Sequence, residues 1–292
     1  MENKPEIQEN DIDISPPIEA PTYTETIQKT ESAQVEQPTE RKEKIQEVLE
    51  EIKSFSQENT TTKKPDHPEL DSQFFSVDDY FKKGNTHKTG YSILGYEAME
   101  PITFWKTVIK SAKKYIPEGN RTNMADIGCA YGYLLKHISP EFSNTYGVDI
   151  SRTALEKAKV ASPASQLIET NLNQEGLPFA DDSLDMITLL DSIEHVETPE
   201  KLLQQAYEKL KSGGIAVISS PDIGNWLGKI IANANGDPSH ISLFTQKDLI
   251  QKLENIGFEI LEKRPFFPLG PIRIPIPANV EIVVRKNASK TA

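Results

Sequence analysis

Short apolar runs alternate with segments of helical periodicity from residue 123 onward, and this alternation limits the fold more than any other feature. The apolar runs predict seven strands, at residues 124–129, 144–150, 165–169, 184–191, 214–220, 258–264 and 279–285. Helical segments are predicted at 101–116, 131–138, 151–160, 199–212, 223–236 and 246–256. Such alternation is typical of an α/β fold with a mostly parallel sheet and helices on both faces. Ligands in such sheets bind beyond the carboxyl ends of the strands.

The loop after the first predicted strand is rich in small residues and reads Asp126-Ile127-Gly128-Cys129-Ala130-Tyr131-Gly132. A small-residue loop between a strand and a helix lets a ligand approach the backbone closely. The dinucleotide fingerprint GxGxxG would need glycines at 128, 130 and 133, but Ala130 and Tyr133 occupy two of these positions. This spacing disfavours an NAD-linked oxidoreductase. The alternative spacing, acid-x-Gly-x-small-x-Gly, is matched at all four of its defined positions, by Asp126, Gly128, Ala130 and Gly132.

With this spacing, DIGCAYG resembles the first motif of class I S-adenosylmethionine (SAM)-dependent methyltransferases. The resemblance covers most of residues 123–286 through YGVDIS, LPFADDSLDMITLLDSIEHV, GGIAVISSPD and HISLFTQKDLIQKLENIGFEI, which follow in the family's order. The sequence is similar in particular to the small-molecule methyltransferases of the ubiquinone pathway. The resemblance implies a Rossmann-like seven-stranded sheet in which the last strand is antiparallel and lies beside the sixth.

The resemblance also implies SAM as cofactor and assigns residues to it. The backbone at Gly128, Ala130 and Gly132 would run beneath the methionine part of SAM. Asp149 would accept hydrogen bonds from both ribose hydroxyls, which suits a carboxylate because it only accepts. Asn171, where the family more commonly has aspartate, would face the adenine amino group. The complete predicted cofactor-binding set is Asp126, Gly128, Ala130, Gly132, Asp149, Ile150, Asn171, Leu172 and Asp191.

Asp191, His195 and His240 are the predicted catalytic residues. DSIEH, at 191–195, resembles the ExxEH stretch of ubiquinone-pathway O-methyltransferases, where the trio is associated with a divalent metal. Two alternatives stay open: the trio binds an ion such as Mg²⁺, which prefers oxygen ligands, or Glu194 and His195 only order the loop. We favour the second. His195 is a candidate base, since a hydroxyl acceptor must lose a proton.

The resemblance implies methyl transfer from SAM to a small-molecule, lipid-linked or glycan acceptor, with O-methylation favoured. Two apolar segments, 223–236 and the proline-rich 265–278, are candidate covers for the acceptor and have no assigned place in the sheet. A nucleic-acid substrate is disfavoured, because the formal net charge is -12 and no basic arm is present. The alternative is a non-catalytic protein that keeps the SAM fold and acts through its acidic N-terminal tail.

The composition divides the chain in two. Residues 1–70 contain 17 acidic and eight basic residues and no glycine, which predicts a disordered acidic tail. Within it, residues 40–56 carry apolar residues at helical spacing; they form either a docking helix for a protein partner or a transient helix that binds nothing. Residues 71–292 are predicted to form the methyltransferase domain, with a helical cover at 71–122 and the sheet core at 123–286.

Cysteine content and hydropathy bear on the compartment. A single cysteine, Cys129, excludes an internal disulfide and suits a reducing environment. No apolar run approaches the roughly 20 residues that span a bilayer, and the first residues lack the apolar core of a secretory signal. We therefore expect a cytoplasmic protein without a transmembrane segment.

Overall fold

The computed structural model describes residues 74–75, 80–83, 95–235 and 237–287. The predicted acidic tail at 1–70 and its docking helix at 40–56 lie outside the described residues and stay predictions.

Within the described residues, seven strands form one sheet. They are β1 (Asn123–Ile127), β2 (Asn144–Asp149), β3 (Gln166–Glu169), β4 (Leu184–Leu190), β5 (Leu210–Pro221), β6 (Phe258–Leu269) and β7 (Ile272–Lys286). The strand order is β3-β2-β1-β4-β5-β7-β6, and β7 runs in the opposite direction to the other six strands. The predicted seven-stranded sheet, with its last strand reversed and beside the sixth, is confirmed.

The described part of the chain contains six α-helices. They are α1 (Ile102–Tyr115), α2 (Tyr133–Ile138), α3 (Arg152–Ala161), α4 (Pro199–Lys209), α5 (Trp226–Asn235) and α6 (Gln246–Ile256). The side chain of Ser151 accepts a hydrogen bond from Ala154 N–H at the start of α3, and that of Thr245 accepts one from Asp248 N–H at the start of α6. Gly257 ends α6 with a φ of 111°, as a glycine at this position does. The helix ends therefore follow capping rules that the sequence displays.

Helices cover both faces of the sheet because neighbouring residues of each strand point to opposite faces. Met124 and Met186 are buried on the face covered by α1, α2 and α3. Ala125 and Ile187 are buried on the face covered by α4 and α6. With both faces buried, the carboxyl-terminal edge of the parallel strands is the place left for a ligand.

Residues 265–278, to which the sequence assigned no place in the sheet, form strands of it on either side of a turn. They lengthen β6 and β7 into a hairpin that turns at Gly270 and continues beyond the end of β5. Prolines are tolerated here because β6 is an edge strand, and because the β6–β7 register shifts between Phe266 and Phe267. The hairpin packs near α1, where Thr103 Oγ1 donates to the Pro271 carbonyl at 2.6 Å.

No helix among the described residues combines the length and apolarity needed to cross a bilayer.

Candidate active site

A cavity lies at the carboxyl ends of β1, β2 and β4, with an empty volume of about 930 Å³ that is partly open to solvent. Polar groups from the strand ends line one part of it, and aromatic residues from 75 to 105 line another. The lining residues are Phe75, Tyr80, Phe81, Tyr96, Met99, Phe104, Trp105, Gly128, Ala130, Asp149, Ile150, Thr170, Asn171, Leu172, Asn173, Leu190, Asp191, Ser192, His195, Val196 and Arg273.

Asp149 ends β2 and presents a half-buried carboxylate to this cavity. The N–H groups of Ala130 and Ser151 donate hydrogen bonds to Asp149 Oδ2 and Oδ1, each at 2.8 Å. Burial raises the pKa of Asp149, and the backbone N–H groups oppose that rise. Each carboxylate oxygen keeps a second lone pair, so the group can still accept hydrogen bonds from two hydroxyls.

The small-residue loop has a left-handed backbone at three positions, with φ of 77° at Gly128, 45° at Ala130 and 69° at Gly132. Gly128 and Ala130 line the cavity, whereas Gly132 faces α3, where an added Cβ would lie 2.9 Å from the Ala158 Cβ. The left-handed conformation costs a non-glycine residue about 1–2 kcal/mol. Alanine in place of glycine at 130 therefore carries a conformational cost.

Asp126 lies in β1 beneath the loop and is not among the residues that line the cavity. Its side chain is buried, and Thr188 Oγ1 donates to its Oδ1 at 2.6 Å. Burial raises the pKa of Asp126 to about 7; the Thr188 hydrogen bond opposes this rise and the charge of Asp149 adds to it. The Asp126 carboxyl is thus held between β1 and β4 rather than in the cavity wall.

Asn171 and Leu172 follow β3 and line the cavity next to Ile150. The amide oxygen of Asn171 accepts a hydrogen bond from Asn173 N–H at 3.0 Å. This contact fixes the Asn171 side chain and leaves its amide nitrogen and one oxygen lone pair for other partners. The side chains of Ile150 and Leu172 are apolar, and they add a surface to the same wall against which a flat ligand can pack.

Asp191 follows β4 with a left-handed φ of 49° and lines the cavity. Its Oδ1 accepts hydrogen bonds from Ser219 Oγ at 2.9 Å and from Asn279 Nδ2 at 3.4 Å. Burial raises the pKa of Asp191, which the positive charge of Arg273 opposes. The β4, β5 and β7 strands together therefore hold this carboxyl.

His195 lines the cavity from the short 3-10 helix after β4. Its Nδ1 lies 3.1 Å from the carbonyl oxygen of Ser239, which can only accept, so Nδ1 carries the proton. Burial and the neighbouring His240 lower the pKa of His195 to about 4, against the effect of Asp237 and Asp191. The ring is therefore neutral at pH 7, with a lone pair on Nε2.

His240 packs beside His195, with ring centroids 5.0 Å apart, but it is not among the lining residues. Its Nε2 lies 3.8 Å from Asp237 Oδ2. The two predicted histidines therefore meet, but only His195 reaches the cavity wall.

Ligand atoms of Glu194, His195 and His240 lie within 4.8 Å of one another. Glu194 is buried, and its Oε2 has no hydrogen-bond partner among the described residues. Burial raises the pKa of Glu194 well above its usual range, and the charges of Asp191 and Asp237 add to this. Asp191, the first member of the predicted trio, is outside this group. Two imidazoles and one carboxylate are better ligands for Zn²⁺ than for Mg²⁺. A protonated Glu194 is equally compatible with these distances, without a metal between the three side chains.

A family model described as a methyltransferase domain matches residues 97–263, more than half of the chain. The chain belongs to the methyltransferase-domain family. Its cofactor is S-adenosylmethionine, as the resemblance implied. The residues on the cavity wall fit this cofactor, because Asp149 can accept from two hydroxyls beside an amide and apolar side chains.

The chain is also similar to individual relatives and solved structures. The methyltransferase is 28% identical over 158 residues to an uncharacterised protein of Methanocaldococcus jannaschii, covering 53% of this chain and 72% of that protein. It is 31% identical over 121 residues to the chloroplast 2-methyl-6-phytyl-1,4-hydroquinone methyltransferase of Spinacia oleracea, covering 39% of this chain and only 35% of that enzyme. A chain in the complex of the Haloferax volcanii Trm112 methyltransferase activator with a methyltransferase matches with a TM-score of 0.55 and 15% identity, covering 67% of this chain and 94% of that chain. At that identity the structural likeness shows the fold alone.

Several residues at the cavity of this methyltransferase were not predicted from the sequence. Thr170, Asn173 and Ser192 adjoin predicted residues and follow the same strand ends. Arg273 had a signal that was not used, since it is the single charged residue in the apolar segment 265–278, and a charge in such a setting needs a partner. Cys129 is buried, and burial raises the pKa of its thiol, as expected for a packed residue.

Proposed function

We propose that this methyltransferase methylates a hydroxyl group on a small molecule that carries an apolar ring. The observation that carries the proposal is a neutral histidine, His195, in the wall of a cavity that six aromatic side chains also line. Aromatic side chains from both the N-terminal cover and α1, including Tyr80, Phe81 and Phe104, suit a flat apolar acceptor.

The strand ends would hold the cofactor. Asp149 would accept from the ribose hydroxyls, and Ile150, Asn171 and Leu172 would contact the base. Bound SAM supplies an electrophilic methyl group. The protein's contribution is to hold the acceptor oxygen in line with that methyl group and to exclude water, since orientation accounts for much of the rate in such transfers.

His195 would receive the proton of the acceptor hydroxyl. Its Nδ1–H donates to the Ser239 carbonyl, which fixes the ring and leaves Nε2 as the basic atom. Asp191 and Asp237 favour the charged form of His195 and partly offset the opposing effects of burial and His240 on its pKa. The Phe75 ring, with its centroid 5.8 Å from that of His195, limits the access of water.

The relatives support this class of acceptor. The spinach relative is named for a hydroquinone, a ring with hydroxyl groups and an apolar phytyl tail. A lipid-linked acceptor of this kind agrees with the apolar wall better than a glycan does.

The test is the rate at which S-adenosylhomocysteine (SAH) forms with a panel of catechols, hydroquinones and hydroxybenzoates. With an accepted substrate, His195→Gln should lower kcat by about 10²- to 10⁴-fold, the usual effect of losing a general base. His240→Gln should cost less, because His240 does not line the cavity. His137→Gln is the matched control, since His137 lies on α2 and contacts the Glu100 carbonyl.

An unchanged kcat in His195→Gln would contradict the assignment of the base. SAM binding without turnover on any hydroxylated ring would favour the non-catalytic alternative, in which the acidic tail is the working part.

A further inference from the structure

Arg273 brings a buried positive charge to the cavity from the β6–β7 hairpin. Its side chain is only 6% exposed. The guanidinium lies between two aromatic rings, 4.5 Å from the centroid of Phe104 and 4.3 Å from that of Phe266. These rings fix the plane of the guanidinium, and a planar group fixed in this way is prepared for a directional partner.

The Nη1 side of this guanidinium has hydrogen-bond partners, whereas the edge formed by Nε and Nη2 has none among the described residues. Nη1 contacts the buried carboxylate of Glu281 and lies 3.4 Å from Thr107 Oγ1. Nε and Nη2 are buried and have no hydrogen-bond partner among the described residues. The N–H groups of Nε and Nη2 lie side by side on one edge, and this edge matches the two oxygens of a carboxylate.

Arg273 shares its ion-pair partner with other cations, and it also lies close enough to Asp191 for its charge to oppose the rise in the pKa of that carboxyl. Glu281 is shared with Arg264, whose Nη1 lies 2.7 Å from Glu281 Oε1. Arg264 also contacts Glu262, which Lys114 contacts in turn at 2.6 Å. Three cations therefore share two carboxylates. Asp191 lines the same cavity, but its carboxyl is bonded to Ser219 and Asn279.

We propose that Arg273 is a specificity-determining residue that binds a carboxylate of the methyl acceptor through its Nε and Nη2 edge. This inference rests on the proposed function, because it places the acceptor in the aromatic part of the same cavity. The acceptor is then a hydroxylated, ring-bearing molecule with an acidic substituent. A carboxylate fits better than a phosphate, since Arg273 is the single permanent cation among the described residues that line the cavity.

The cofactor's own carboxylate is the competing partner. Asp149 ends β2, and β2 and β7 are four positions apart in the strand order β3-β2-β1-β4-β5-β7-β6. Arg273 itself lies in the part of β7 that extends past β5 and pairs with β6 alone. Arg273 therefore lies toward the far side of the cavity from the ribose site, with Asp191 at the end of β4 between them.

The test is calorimetric titration of SAH-saturated protein with benzoate, 4-hydroxybenzoate, 4-hydroxycinnamate and octanoate, each paired with its uncharged amide. The wild-type protein should bind at least one carboxylate about 10- to 100-fold more tightly than its amide. Arg273→Gln should abolish this preference and leave SAH affinity within about threefold. Arg273→Lys keeps a positive charge beside Glu281 and guards against misfolding; it should retain only part of the preference, because it lacks the two-pronged edge.

Arg264→Gln is the matched control, because Arg264 contacts the same Glu281 but does not line the cavity; it should keep the carboxylate preference. A wild-type protein that binds no carboxylate better than its amide would overturn the proposal. An SAH affinity that falls at least tenfold in both Arg273 variants would also overturn it and assign Arg273 to the cofactor. Failure of the wild-type protein to bind SAH would count against the proposed function itself and is a separate result.

Discussion

At the scale of single residues, Asp126 shows how burial in the sheet stores a dependence of stability on pH. The carboxyl has an ordinary pKa of 3.8, and burial raises its pKa to about 7 in the folded protein. The folded state therefore holds a proton that the unfolded chain has already lost between these two values. This contribution to stability is complete below about pH 3.8 and is lost as the pH rises toward 7.

Asp126→Asn should remove this dependence, because asparagine has no proton to lose. The free energy of unfolding of the variant should increase relative to wild type between pH 4 and pH 7, by up to about 4 kcal/mol at 1.36 kcal/mol per pKa unit. Urea unfolding at pH 4.5, 6 and 7.5 measures the difference. A difference that stays constant across this range would show that Asp126 titrates normally.

One part of the cavity wall was predictable because its residues belong to short patterns in the chain. The left-handed loop and the acid that ends β2 form a local pattern, and Gly128, Ala130 and Asp149 line the cavity together. The part of the cavity that we propose for the acceptor combines residues that are far apart in the sequence, such as Phe104 and Arg273. No spacing rule relates such residues, and only the folded chain brings them into contact.

At the scale of elements, the start of α2 depends on a close approach to α3. Gly132 combines a left-handed backbone with a position where an added Cβ would lie 2.9 Å from the Ala158 Cβ and 3.1 Å from its Cα. Gly213, within β5, has a similar φ of 80°, but an added Cβ there would meet nothing within 4 Å. Comparing alanine substitutions at Gly132 and Gly213 therefore separates the cost of backbone strain from the cost of crowding between helices.

Gly132→Ala should lower the free energy of unfolding by about 2–5 kcal/mol, the sum of a left-handed alanine and overpacking. Gly213→Ala should lower it by about 1–2 kcal/mol from the backbone alone. Urea unfolding of both variants at one pH measures the difference. Equal losses would mean that α2 and α3 move apart at little cost.

The elements themselves were largely predictable, with two exceptions. Residues 210–212, predicted to end a helix, belong to β5, and the second exception has a physical cause. Strand and helix positions followed from apolar periodicity and capping residues such as Ser151 and Thr245. The extension of β6 and β7 through 265–278 was missed because proline normally interrupts a strand. Here the hairpin extends past β5, so the prolines do not interrupt the central pairing of the sheet.

At the scale of the whole molecule, the sheet brings two chemically different halves of one cavity together. The ends of β1, β2 and β3 supply polar groups suited to a nucleoside, and the region from 75 to 105 with the β6–β7 hairpin supplies aromatic rings and one guanidinium. Asp191 and His195, which follow β4, lie where these halves meet. We propose that the half formed by the ends of β1, β2 and β3 binds SAM through Asp149.

Calorimetric titration of SAM into the wild-type protein and into Asp149→Ala tests this claim most directly, with Asp181→Ala as an exposed control that also loses one negative charge. The wild type and Asp181→Ala should bind with equal affinity. Asp149→Ala should bind about 10- to 100-fold more weakly, since hydrogen bonds to a charged group contribute about 1.5–3 kcal/mol. Equal affinity in all three proteins, or no binding by folded wild-type protein, would contradict the account.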